Sequence, residues 1–119
     1  MMHSAWRSLP LAVALATVAG PVAAGDEVSF DGDVVPLLNT RCVVCHVEGA
    51  AQAGLSLYPD PWKHVVGVPS TESPLKLVEA GAPEKSYLYL KVLGTHLQAG
   101  GSGLRMPFNM DPLSAAELE

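Results

Sequence analysis

Glycine and proline make up 18 of the 95 residues that follow Ala24, and that share limits what the chain can build. Glycine gives up the most backbone freedom on ordering, and proline removes a hydrogen-bond donor from any helix or strand interior. Short helices joined by long loops are the architecture such a chain supports. With 119 residues it holds one domain and a small core. Cores of this size lean on disulfides, metals or a prosthetic group. Two cysteines exclude a multi-disulfide scaffold. A net charge of −5 argues against nucleic acid, whose binders present a basic face. No repeat and no useful alternating strand pattern occurs, so the expected class is all-α.

The first 24 residues read as a secretory leader. Met1 to Arg7 is positively charged, and Leu9 to Ala19 is apolar apart from Pro10 and Thr17. Small residues follow from Gly20 to Ala24, and Gly25-Asp26-Glu27 then turns acidic. Cleavage after Ala24 fits this layout. The apolar run is far shorter than the roughly 20 helical residues a bilayer requires, so no membrane span is expected after cleavage. The division is a signal peptide over 1–24 and a domain over 25–119. Export places the product in the periplasm or outside the cell, and no cysteine at the cleavage site indicates a lipid anchor.

Within the domain, Asp31 or Asp33 suits the N-cap of a helix over about 33–45 whose face carries Val34, Leu37 and Leu38, with Pro36 in its first turn. Trp62 to Val66 fits one helical turn after Pro59-Asp60-Pro61. A second helix starts at Pro83, has Glu84 in its first turn, runs through Tyr87 to Val92 and stops at Gly94. Gly100-Gly101-Ser102-Gly103 reads as a flexible loop. Ser114-Ala115-Ala116-Glu117 matches a capping box, yet the sequence stops at Glu119. Two readings stand: a truncated C-terminal helix, leaving the domain incomplete, or a frayed tail with a chance match.

Cys42-Val43-Val44-Cys45-His46 is C-x-x-C-H, the attachment pattern of c-type haem. Cysteines three apart share one side of a helical turn, where both thiols reach the vinyl groups of one porphyrin edge. The next residue, His46, can then offer a ring nitrogen to iron. Its other nitrogen needs a carbonyl acceptor, expected near Gly54-Leu55. Three rival readings are a Cys42–Cys45 disulfide of thioredoxin type, a zinc site completed by His64 or His96, and chance occurrence. The first lacks its βαβ setting, and no second paired-ligand spacing supports the zinc site.

From Phe30 to Glu119 the chain resembles the planctomycete-type cytochrome c domains. Their pattern is matched in order by Phe30, Asp33, Val34, Pro36, Leu38, Cys42, Cys45, His46, Gly54, Leu55, Leu57, Ser86, Leu88, Met106, Pro107, Leu113 and Ser114. The resemblance implies short helices and long loops around one covalent haem c, with Cys42 and Cys45 as thioethers and His46 as proximal iron ligand. It makes Met106 the distal iron ligand, in a His/Met set that raises the reduction potential. Met110 stands as its substitute, and His64 or His96 as a bis-histidine alternative, although a lone histidine is ordinarily a surface or loop residue. Arg105 could meet a haem propionate, and Trp62 or Tyr58 could pack on the ring. The last helix of such domains packs on the first, so the resemblance implies a helix after Leu113-Ser114 longer than the residues to Glu119 allow.

The implied function is single-electron transfer by a periplasmic monohaem cytochrome, with no substrate chemistry of its own and so no enzyme activity expected. Alternatives are a haem-bearing fragment or subunit of a larger oxidoreductase, and a haem-based ligand sensor. Partners would be redox donor and acceptor proteins with basic docking patches, together with the cytochrome c maturation machinery.

Overall fold

The computed structural model describes residues 27–119, and the leader expected over 1–24 lies outside them. Every regular element among the described residues is helical and short. The α-helices are α1 (Val35–Arg41), α2 (Pro61–Val65), α3 (Tyr87–Leu93) and α4 (Ala115–Leu118). A π-helical turn, Phe30–Val34, precedes α1, and 3-10 turns occupy Gln52–Gly54, Pro83–Lys85 and His96–Ala99. Pairing is limited to isolated bridges, Val66 with Val78, Pro69 with Lys76 and Lys76 with Ser86.

The entry into α1 differs from the expected aspartate cap. Ser29 is the cap: its hydroxyl accepts from the Gly32 N–H, while the Asp33 carboxylate accepts from the Ser29 N–H at 2.8 Å. This is a capping box stretched by one residue, because the first turn is π-helical and puts the acid four places on. Pro36 sits in the first turn of α1, as its missing donor requires. The helix ends at Arg41 rather than near 45, since Cys42 leaves helical geometry with φ −129°. The chain then makes one separate turn, in which the Cys45 and His46 N–H groups both donate to the Cys42 carbonyl at 3.1 Å.

The helix expected from Pro83 is also divided. Pro83–Lys85 forms a 3-10 turn, and Ser86 is extended and buried. Its hydroxyl donates to Ala82 O at 2.9 Å and accepts from the Glu79 N–H at 2.9 Å. Beyond it, α3 donates its first two N–H groups, from Tyr87 and Leu88, to Lys76 O and Leu77 O at 2.9 Å. That satisfies donors which would otherwise be orphaned and seats α3 on the 76–78 segment. Gly94 closes α3 in the left-handed conformation, as expected.

The C-terminal capping box does form. Ser114 N–H donates to Glu117 Oε2 at 2.8 Å, and α4 makes one turn. Arg41, at the end of α1, donates to Asp111 O at 2.7 Å and faces Glu117 at 3.5 Å, tying the last segment to α1.

Leu38, Leu57 and Val65 form the buried core cluster, flanked by Val34, Cys42, Val43, Leu55, Val66, Leu77 and Val78. Full burial of each such side chain contributes about 1.5–3 kcal/mol. The core thus touches the segment that carries the two cysteines.

Candidate functional site

A cavity of about 420 Å³ opens beside this core and gathers the sequence-selected residues. Cys42, Cys45, His46, Met106 and Met110 all line it. Aliphatic side chains supply much of the remaining wall, among them Leu55, Leu57, Leu77, Leu88 and Val92. The volume lies in the ordinary range for a small-molecule or cofactor site.

The Cys42–His46 side is built from local backbone bonds. A 3-10 turn over Gln52–Gly54 passes through two left-handed residues, Ala53 (φ 53°) and Gly54 (φ 72°), and turns the chain back on the motif. Gln52 N–H donates to Cys45 O at 3.3 Å, and Leu57 N–H donates to His46 O at 2.8 Å. The same reversal brings Leu55 O to 3.3 Å from His46 Nδ1, the acceptor expected near Gly54-Leu55. A carbonyl only accepts, so Nδ1 is the donor in this contact, and Nε2 is the ring nitrogen not engaged by it. The two thiols are free, Cys42 half-buried and Cys45 exposed. Burial pushes the Cys42 thiol up, and the Arg41 charge only partly offsets it. A thiol held in its neutral form is a poor start for thiolate chemistry.

The Met106 side is held against α3, an element distant in sequence. Met106 N–H donates to Lys91 O at 3.1 Å, fixing the residue against α3. Arg105 Nε donates to Val92 O at 2.9 Å, a positive charge on the last turn of α3. Arg105 is thus tied to the helix end through Nε and is not among the residues that line the cavity. Met106 is half-buried and Met110 exposed, so Met106 is the better enclosed of the two sulfurs.

The other residues singled out in the sequence lie as follows. Tyr58 and Trp62 do not line the cavity; Trp62 packs edge-on against Phe30, centroids 4.9 Å apart, and the aromatic wall comes from Tyr87 and Phe108. His64 is exposed on α2 and lines a separate cavity of about 220 Å³. His96 is only 2% exposed, not a surface residue, and its Nε2 donates to Gly103 O at 3.0 Å. Neither histidine reaches the wall that carries His46. Among the described residues no three His, Cys, Asp or Glu side chains are grouped to hold a metal ion, so the zinc construction with His64 or His96 has no geometric basis.

Glu72, Tyr87 and Lys91 are wall residues that sequence reasoning missed. Lys91 Nζ donates to Glu72 Oε2 at 2.9 Å and to Ser102 O, and lies 3.3 Å from Tyr87 Oη. Only the four-residue step from Tyr87 to Lys91 is visible in the sequence. The Lys91 ammonium holds the Glu72 carboxyl below its ordinary value.

Comparison with family models, curated proteins and solved structures finds no match in any of the three.

Proposed function

We propose that this chain is a monohaem c-type cytochrome domain that passes single electrons in the periplasm. Cys42 and Cys45 would carry the thioethers of one haem c, His46 would be the proximal iron ligand and Met106 the distal one. The observation that carries the reading is the convergence of Cys42, Cys45, His46 and Met106 on one largely apolar cavity. The donor chemistry fits as well: an imidazole whose Nδ1 is anchored leaves Nε2 for iron, and methionine sulfur is a soft donor.

When bound, haem supplies a reversible ferric/ferrous couple. Leu55 O orients His46 and increases its basicity, while the aliphatic wall excludes water. Met106 favours the reduced state through its sulfur. His46 and Met106 would both be donors to the iron, a donor set that suits electron transfer over bond-making. Export and partners with basic docking patches belong to the same proposal.

The test is the protein co-expressed in the periplasm with cytochrome c maturation proteins. The reading predicts a reduced-minus-oxidised haem spectrum and colour that stays with the protein through acid–acetone extraction. Colour that leaves with the solvent, or none at all, overturns it.

A further inference from the structure

We infer that Lys91 is a positioning residue for Met106, acting through the backbone of Ser102 to Met106; the inference rests on the haem reading above. Lys91 is only 7% exposed, and a lysine ammonium is seldom buried without partners. Here its three donors face three acceptors, Glu72 Oε2, Tyr87 Oη and Ser102 O. The carbonyl of the same residue accepts the Met106 N–H at 3.1 Å. One residue thus grips this segment at two points, Ser102 through its side chain and Met106 through its backbone.

Two neighbours reinforce the grip. Tyr87 Oη accepts from the Ser102 N–H at 3.2 Å, and His96 Nε2 donates to Gly103 O. Gly101 packs so closely that an added Cβ would lie 2.7 Å from His96 O. Without these contacts the Gly100-Gly101-Ser102-Gly103 run would carry a large ordering cost, because glycine has the most freedom to lose. A buried ion pair is weak evidence for a purely stabilising role. Its placement beside Met106, in the wall of the same cavity, assigns it to holding the sulfur at a fixed reach.

The test compares the wild-type holoprotein with Lys91→Met. Three readouts are used: amide hydrogen exchange over 101–106, the sulfur-to-iron charge-transfer absorption of the oxidised protein, and carbon monoxide binding by the reduced protein. Loss of a hydrogen bond to a charged group predicts exchange faster by about ten- to hundredfold. The charge-transfer absorption should weaken and carbon monoxide binding accelerate, with covalent haem content unchanged. In a Met106→Ala background, adding Lys91→Met should leave carbon monoxide binding unaltered, because the residue acts through Met106.

An intact charge-transfer absorption in Lys91→Met, or additive effects in the double variant, overturns the inference. If Lys91→Met yields no holoprotein, Tyr87→Phe removes the hydroxyl that joins Lys91 and Glu72 to Ser102 and predicts the same changes, smaller; no change there overturns it equally. A wild-type protein without covalent haem would sink the parent reading instead. The exchange comparison would then still decide whether Lys91 clamps the segment, unaltered exchange refuting it.

Discussion

The cavity joins two regions that are held by different means. From Cys42 to Leu57 the chain is laced by its own backbone over a few residues: a turn at the motif, a left-handed reversal at Ala53-Gly54, and an imidazole anchored nine residues on. From Ser102 to Met106 the chain borrows its geometry from α3, through Lys91, Tyr87 and the carbonyls of Lys91 and Val92. A locally specified region keeps its shape when distant contacts fail, whereas a borrowed one follows the element that lends it. The first region suits permanent attachment and the second a replaceable ligand.

Changes to the first region should therefore abolish the cofactor, and changes to the second should only alter its ligation. The largest effect is expected from Cys42→Ala with Cys45→Ala, which should remove all covalently bound haem, read by denaturing electrophoresis with haem staining. Met106→Ala comes next: haem should be retained, carbon monoxide should bind the reduced protein, and the potential should fall, measured by redox titration.

Two glycines sharpen the contrast at the level of stability. Gly54→Ala forces a side chain into the left-handed region in otherwise open space, costing about 1–2 kcal/mol in urea unfolding. Gly94→Ala carries the same strain, and its Cβ would also lie 2.9 Å from Arg105 Cδ, so it should cost more and disturb Met106 ligation as well. Equal losses with ligation intact would count against the borrowed geometry of the second region.

The smallest effect concerns acid. The Lys91 hydrogen bond holds the Glu72 carboxyl below its ordinary value, so its stabilisation is full above the ordinary carboxylate range. It is lost as pH falls through the lowered value. Unfolding midpoints of wild type and Glu72→Gln should differ near neutrality and converge in acid. A gap that persists in acid would detach Glu72 from the clamp.

The contrast also explains what the sequence discloses. The Leu55 acceptor, the Gly94 stop and the Ser114 capping box are short-range chemistry, and all were legible from residue order. The all-α class followed from the lack of any alternating strand pattern, and the long loops from the density of glycine and proline. Ser29 was hidden because a π-helical turn moves the capping acid out of its usual register. The break at Ser86 was hidden because its hydroxyl serves Glu79 and Ala82 rather than the helix it precedes. Glu72 and Lys91 lie 19 residues apart, and Arg41 reaches Asp111 across 70, so no pattern along the chain announces either contact. The bond from Arg105 to Val92 O at the end of α3 spans 13 residues and has no local signal either. His96 looked like a loop residue, yet Gly103 O accepts from it inside the fold.

Intact mass of the exported protein, followed by peptide mapping across residues 42–46, decides whether haem is covalently held there. Thioether attachment predicts a mass greater than the mature polypeptide by one haem, with the addition localised to Cys42 and Cys45. A product matured beside a competent ligation system that weighs only as much as its amino acids, with both thiols free, would contradict it.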